Sequence, residues 1–401
     1  MLLTEKHQIK LNHNFFKEID ASCFQSKNLY NSLLYIVRQY FFEHKKYIGM
    51  NELYKQIKLQ PIWNECGLAK KLCNQVLIQV DTNYKAFFAA LKSFEIDPSR
   101  FNSRPKIPKY KEKLKGKNIL TYPKDALYVS VFKKTGCIKL SNSNIVIKTQ
   151  IKDWSSIKSV RVVPKNNRYD VEISYEVKEK EKINTGNFCA IDLGVNNLAT
   201  IGFDDCKKPI SINGKPLKSI NQYYNKKKAK LQSQLKENQY VSKKIKKLTN
   251  KRNNKINDYM HKASRLLVNQ LVSRNISNVI IGYNQNWKQD INIGKKNNQT
   301  FVNIPFLKFI DMVTYKCQLE GIEAKRTNES YTSKCSFLDG EEICKHDEYK
   351  GKRIKRGLFK SKEDKLINAD LNGAYNILKK EVPKFKGIED VAVHPKLLKV
   401  I

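Results

Sequence analysis

The hydrophobic period of this chain changes twice, and those changes constrain its architecture more than any single motif does. In Lys27–Lys46 the residues Leu29, Leu33, Val37, Tyr40 and Phe41 recur at three- and four-residue spacing. Leu68–Phe94 likewise carries Leu72, Val76, Val80, Phe87 and Leu91 on one stripe. Both patterns predict amphipathic helices, and Gln8–Leu11 reads as a strand ahead of them. Pro98, Pro105 and Pro108 then end the helical region, because proline lacks an amide N–H and clashes with the preceding turn. Further on, Tyr169, Val171, Ile173, Tyr175 and Val177 alternate with Asp170, Glu172, Ser174 and Glu176, which is the period of a strand. Leu127–Phe132, Ile145–Lys148 and Ser159–Val163 are weaker companions, and short strands joined by polar turns predict a small β-barrel or curled sheet. From Asn187 the apolar strands Phe188–Leu193 and Asn197–Phe203 give way to alternating helices and strands, an α/β pattern. No internal repeat of 20 to 50 residues is visible, so a solenoid is excluded. The expected fold is α/β multidomain: a helical region, a small β-barrel and a C-terminal α/β domain.

Charge narrows the function. The 401 residues include 76 Lys and Arg against 38 Asp and Glu, a formal charge of +38. Such an excess repels itself unless a polyanion is near, and nucleic acid is the polyanion that fits. No apolar run approaches the roughly 18 residues a membrane span needs, and no basic amphipathic helix offers an apolar anchor face, so no membrane partner is expected. The N-terminus (Met1, Leu2, Leu3) has no secretory apolar core, and the nine cysteines, an odd number, read as reduced thiols. A cytoplasmic, nucleoid-associated location is expected.

Two basic stretches are candidates for nucleic-acid contact. Arg100, Arg104, Lys106, Lys109, Lys111 and Lys113 surround the prolines, with Phe101 and Tyr110 interleaved. Aromatics can stack on bases while cations meet phosphates; the alternative is a solvated loop. Tyr224–Lys255 is densely basic, with Lys226, Lys227, Lys228, Lys243, Lys244, Lys246 and Lys247, and predicts one long exposed helix. It is either a solvated face or a second nucleic-acid surface.

Two aspartates stand where carboxylates can do chemistry. The strand Phe188-Cys-Ala-Ile-Asp192 runs apolar and ends on an acid, a costly placement unless cations or donors compensate it. Asn368-Ala-Asp370-Leu-Asn372 opens a helix, where an acid in the first turn is also a plain capping group. Together, in a strongly basic chain, they suggest a two-metal phosphodiester site, in which carboxylates hold Mg²⁺ ions ~4 Å apart.

At these residues a resemblance becomes plain. Asp192-Leu-Gly194, Ile280-Ile-Gly-Tyr-Asn284, Trp287-Lys288, Tyr331-Thr-Ser-Lys334 and Asp370-Leu-Asn372 occur in the order found in TnpB (OrfB-type) proteins. Lys27-Asn-Leu-Tyr-Asn31 with Val37-Arg38-Gln39 resembles that family's first recognition helix, and Pro105–Lys111 its basic clamp. The resemblance implies a transposon-encoded, RNA-guided DNA endonuclease with a RuvC-like domain of RNase H fold, related to the type V CRISPR effectors. It implies as partners a guide RNA encoded by the element and a double-stranded DNA target, and Mg²⁺ or Mn²⁺ as cofactor. The organisation it implies is a first wedge strand in 1–15, a helical recognition region and clamp in 16–115 and wedge barrel strands in 116–182. A RuvC-like domain follows in 183–385, with an insert at 332–362, and a tail at 386–401.

Carried over residue by residue, Asp192 matches the first catalytic carboxylate and Asp370 the third. The second departs from the pattern: the family usually has Glu at the end of the strand that here reads Asn278-Val-Ile-Ile-Gly282. Either the site is silent and the protein only binds, or another acid has moved in. Glu329 is the expected replacement, because it follows the strand Gly321–Thr327 that should neighbour the one ending at Gly282; Asp290 and Glu323 are alternatives. The expected catalytic and metal-binding set is thus Asp192, Glu329 and Asp370. In place of a four-cysteine ribbon the chain offers Cys335, Cys344 and His346, too few ligands for a tetrahedral structural site, and no structural zinc is expected. The expected nucleic-acid contacts are Arg38, Arg104, Lys106, Lys109, Lys111, Lys227, Lys244, Lys247, Lys288, Arg353 and Arg356. His261 is assigned no catalytic role, and Trp287 is expected in the core or an interface. The activity implied is metal-dependent DNA cleavage. A silent RNA-guided DNA-binding protein and a miniature type V CRISPR effector remain open.

Overall fold

The computed structural model describes residues 1–284, 294–382, 385 and 391–400, in two compact units, 1–177 and 178–401. Trp287, Lys288 and Asp290 lie outside the described residues.

The first unit begins with β1 (Leu2–Lys10), followed by helices α1 (Phe16–His44), α2 (Met50–Lys58), α3 (Pro61–Glu65) and α4 (Lys70–Ile96). Then come β2 (Leu120–Pro123), α5 (Val129–Thr135), β3 (Cys137–Lys139), β4 (Val146–Lys148), β5 (Ile157–Lys165) and β6 (Arg168–Glu176). The two periodic helices form as α1 and α4, α1 starting some eleven residues earlier than its apolar stripe suggests. Leu29, Leu33, Val37, Val76 and Val80 pack into one helical core. The alternating strand is β6, whose inward residues Tyr169, Val171 and Ile173 join a second core. Its sheet has the order β1-β6-β5-β2, and β3 pairs separately with β4. One expected strand is absent: Leu127–Phe132 makes a single isolated bridge at Leu127 and then turns into α5. Its Leu-Tyr-Val-Ser-Val-Phe run has apolar residues at both two- and three-residue spacing, so period alone does not decide it.

The second unit contains β7 (Phe188–Asp192), β8 (Asn197–Phe203), β9 (Ile210–Asn213), α6 (Lys215–Gln232), α7 (Lys243–Val272) and β10 (Asn278–Gly282). It continues with α8 (Lys295–Val302), α9 (Phe306–Leu319), β11 (Glu323–Thr327), β12 (Lys352–Lys355), β13 (Leu358–Lys360), β14 (Leu366–Asn368), α10 (Ala369–Glu381) and β15 (Lys396–Leu398). The expected single helix over Tyr224–Lys255 is in fact two helices: α6 ends at Gln232 and α7 restarts at Lys243, capped by the Ser242 hydroxyl, which accepts from the Ile245 amide. Between them Leu235 is the one aliphatic residue in 233–240, too little apolar surface to hold a helical turn against a core.

The six-stranded sheet of this unit runs β11-β10-β7-β8-β9-β15, with β7, β10 and β11 mutually parallel and β8 antiparallel between β7 and β9. Parity along the strands sets what each face carries. Cys189, Ile191, Val279 and Ile281 enter the core that α7 and α9 complete. Ala190 and Ile280 enter the opposite core, built around Leu371, Tyr375 and Ile377 of α10. Asp192 and Gly282, each two residues further on, therefore share the α10 face.

Candidate active site

Small residues let α10 come down onto its face of the sheet. A Cβ on Gly202 would stand 2.8 Å from the Tyr375 ring, and one on Gly373 only 3.3 Å from Asp192 Cγ. The Asn368 side chain caps α10, accepting from the amides of Asp370 and Leu371 at 3.0 and 3.1 Å. That cap holds Asp370 in the first turn beside the end of β7.

Glu329 reaches the same place from the other side. β11 pairs with β10 in parallel, Thr327 opposite Gly282, and the Tyr283 amide donates to the Thr327 carbonyl at 2.8 Å. Two residues later the chain turns over the strand ends: the Glu329 amide donates to Asn284 Oδ1 at 3.1 Å, and the Thr332 hydroxyl donates to the Glu329 carbonyl at 2.8 Å. The buried amides of Asn372 and Asn376 anchor the following segment, donating to the carbonyls of Cys335 and Thr332 at 2.8–2.9 Å. Asn372 Oδ1 also accepts from the Phe337 amide at 2.9 Å. The outcome is local and specific: a Cβ on Gly282 would lie 2.7 Å from Glu329 Oε2 and 2.5 Å from Ile377 Cδ1. Glu329 fills the volume that a side chain at 282 would need.

Asp192, Glu329 and Asp370 line one cleft of about 430 Å³, with Arg353 and Arg356 at its edge. Asp370 is the compensated member: Oδ2 accepts from Asn197 Nδ2 at 2.9 Å and Oδ1 from Arg353 at 3.2 Å. Burial pushes the Asp192 carboxyl well above the usual carboxylate range, and the negative charges of Asp370 and Glu329 push it further, against the pull of Arg353. Burial raises Glu329 to about 7, and its Oε2 is buried with no hydrogen-bond partner. An orphaned carboxylate oxygen costs several kcal/mol unless a proton or a cation meets it (roughly 1–3 kcal/mol even for a neutral group). Among the described residues no group of three His, Cys, Asp or Glu side chains stands placed to hold a metal ion, Asp192, Glu329 and Asp370 included. Their chemistry nevertheless suits a hard divalent cation: all three offer carboxylate oxygens, and Glu329 Oε2 is unpartnered.

The thiols of the insert find partners within the protein. Cys335 donates to the Cys344 carbonyl at 3.6 Å, Cys344 Sγ lies 3.4 Å from His346 Nε2, and that nitrogen is 2.8 Å from the Glu342 carbonyl. Buried Glu341 ties the insert together, its two oxygens accepting from the amides of Ser336 and Lys350 at 2.6 and 2.9 Å.

The expected nucleic-acid residues divide by environment. In the first unit Arg104, Lys106 and Lys109 are exposed, whereas Arg38 stacks over Tyr110 at 4.9 Å and Phe101 packs on Phe94. Lys111 is half-buried over Tyr30, its backbone bonded twice to the Asn31 side chain at 2.9 Å, and buried Lys27 donates to the Lys113 carbonyl at 2.5 Å. The Lys27–Asn31 motif thus pins the proline-rich segment to α1. In the second unit Lys227, Lys244, Lys247, Arg353 and Arg356 are exposed. The sequence assigns no individual role to Asn197, Asn284, Thr332, Asn372 or Asn376, although Asn284, Thr332 and Asn372 fall within the motifs that carry the resemblance and Asn recurs within 368–376.

Two family models match the chain: OrfB_IS605, a Probable transposase family, over residues 172–288, and the Cas12f1-like TNB domain over 306–377. The TnpB-like protein MJ0751 of Methanocaldococcus jannaschii is 27% identical over 221 residues, 52% of this chain and 76% of that protein. Among solved structures, the chain is similar to the protein of a Cas12f1–sgRNA–target DNA complex (15% identity, 95% of this chain and 100% of that one, TM-score 0.40). It is also similar to the mini-RNA-guided endonuclease CRISPR-Cas_phi3 (10% identity, 94% and 92%, TM-score 0.48). Together the two family models and the archaeal relative show that this chain is similar to TnpB-like proteins over part of its length, most of it in the second unit.

Proposed function

We propose that the chain is an RNA-guided DNA endonuclease with a RuvC-like site in which Glu329 replaces the carboxylate missing at Gly282. One observation carries this reading: the unpartnered Glu329 carboxylate oxygen occupies the space above Gly282, in a cleft shared with Asp192 and Asp370. The parallel pairing of β10 and β11 supports an RNase H-like sheet, because it brings the ends of these two strands together. Asp192, Glu329 and Asp370 are the residues that would hold divalent ions, Mg²⁺ or Mn²⁺. When bound, such ions supply Lewis acidity and lower the pKa of water for attack on phosphorus.

The chain's own groups do the rest. Asn197 holds Asp370 in one orientation, and Arg353 and Arg356 at the cleft edge meet the phosphates of the strand to be cut. Arg353 is half exposed, so it can exchange Asp370 for a phosphate without burying a new charge. The exposed cations of both units hold guide RNA and DNA through their backbones, and base pairing supplies sequence specificity.

The test is plasmid cleavage by the full chain copurified with its RNA, in Mg²⁺ or Mn²⁺. Glu329→Gln should abolish cutting and leave RNA and DNA binding intact. Normal cutting by that variant removes Glu329 from the site. Absence of cutting by the native complex with every divalent metal leaves the silent RNA-guided binder, the reading that Gly282 by itself favours.

A further inference from the structure

The paired helices α6 and α7 carry a feature that the cleavage site does not use. Residues 215–257 hold fourteen Lys and Arg against one acid, Glu237. Between the two helices is a cavity of about 280 Å³, near the lower end of small-molecule sites (~300 Å³). Ile220 and Leu248 contribute apolar lining, Tyr223 and Tyr224 line it, and Lys251 and Lys255 reach it from successive turns of α7.

The back of this cavity is rigid. Arg252 donates to Asn221 Oδ1 and the Asn303 carbonyl, both at 2.8 Å, and to Asn253 at 3.0 Å, so its donors serve the fold. Its guanidinium lies 5.6 Å from the Tyr224 ring, and the Tyr224 hydroxyl is 3.1 Å from Thr249 Oγ1. The front is different. Tyr223 is 60% exposed, and among the described residues neither Lys251 nor Lys255 has an acidic partner. Tyr223 and the two lysines without acidic partners line one cavity, with the ring left open to solvent. That arrangement suits a base with its phosphates.

We infer that the α6–α7 cavity is a nucleotide subsite that takes one unstacked base of a single-stranded segment, with Tyr223 stacking on the base and Lys251 and Lys255 meeting the flanking phosphates. A duplex does not fit this chemistry, because its bases are stacked on each other and present no free face to Tyr223. The shared ligand is a single-stranded nucleotide; it belongs either to the guide RNA or to a DNA strand released from its duplex. The inference rests on the nucleic-acid part of the proposed function and not on cleavage.

The test uses the full chain and short oligomers carrying one 5-iodouridine or 5-iododeoxyuridine, crosslinked by near-ultraviolet light and mapped by mass spectrometry. An adduct on Tyr223 is expected, from the RNA arm if the guide is the source and from the DNA arm if a released strand is. Tyr223→Phe should retain affinity for the oligomer and Tyr223→Ala should lose about tenfold, within the range measured for single base–aromatic stacks. The Lys251→Ala/Lys255→Ala double variant should lower the slope of log affinity against log salt by about 1.4, two phosphates at ~0.7 each. Adducts confined to other elements, with unchanged affinity for Tyr223→Ala, overturn the inference. A protein that crosslinks at Tyr223 but never cuts DNA sinks the nuclease reading alone. One that cuts but gives no adduct there sinks this inference alone.

Discussion

Gly282→Ala is the smallest perturbation that reports on the proposed site. The new methyl would stand 2.5 Å from Ile377 Cδ1 and 2.7 Å from Glu329 Oε2, well inside the 3.5–4.0 Å of good carbon contacts. Gly282 is in a strand with no left-handed backbone requirement, so the substitution gains about 0.4–1 kcal/mol from the unfolded state. Overpacking a buried site costs about 1–3 kcal/mol, which leaves a net loss of up to about 2.6 kcal/mol. In a unit of this size that lowers Tm by up to about 10 °C. Under the proposed function cleavage should fall much further, because moving Glu329 within the proposed site by an ångström costs on the order of 10²-fold. Adding Ile377→Val separates the two effects. It removes the Cδ1 that collides and leaves the clash with Glu329, so the melting temperature should return while cleavage stays low. Thermal melts and plasmid cleavage of the two single variants and the double close the cycle. If the double variant recovers cleavage along with stability, Glu329 is not the group that Gly282 accommodates.

Three other outcomes follow from the same geometry. In EDTA the folded chain holds a proton on Glu329 more tightly than the unfolded chain does, so the contribution is complete below about pH 4.5 and is lost as pH rises through about 7. Melting of the metal-free protein should decline across that window, Asp192 acting in the same direction, and Glu329→Gln should flatten the decline; superimposable curves would refute the burial argument. Asn372→Ala leaves the Phe337 amide buried without an acceptor and should cost about 1–3 kcal/mol by denaturant titration, with reduced cleavage because the segment after Glu329 loosens; an unchanged midpoint would show that this amide is not what anchors it. Glu341→Ala removes the acceptor of two amides in the insert and should unfold it locally, seen as faster hydrogen exchange over 336–350, whereas a zinc chelator should leave the melt unchanged. Loss of structure on chelation would restore a zinc role to Cys335, Cys344 and His346.

What could be read from the sequence was whatever local pattern controls. The alternation of Tyr169–Val177 and the apolar run ending at Asp192 each became a strand within a residue of the expected limits, because side-chain period and burial act over a few neighbours. The break between α6 and α7 was missed because a uniform run of lysines carries no period, and what ends α6 is the lack of a core for Gln232–Val241 to pack on. The site itself was half legible. Asp192 and Asp370 sit at an element's end and an element's start, positions a pattern can find, while the roles of Asn372 and Asn376 depend on carbonyls about 35 to 45 residues away. Glu329 is the instructive case. As a residue in a polar turn it has no local signature at all; what points to it is an absence, a glycine at the end of a strand where a carboxylate is expected. That glycine cannot be exchanged for glutamate without further change. Ile377 packs where its Cβ would go, and Glu329 already fills the remainder. The position of the acid, the missing side chain at 282 and the branched residue on α10 therefore constitute one packing unit. Moving the acid back to 282 requires Gly282→Glu, Glu329→Gly and Ile377→Ala together, since any two of the three leave either a collision or an empty space at the cleft floor.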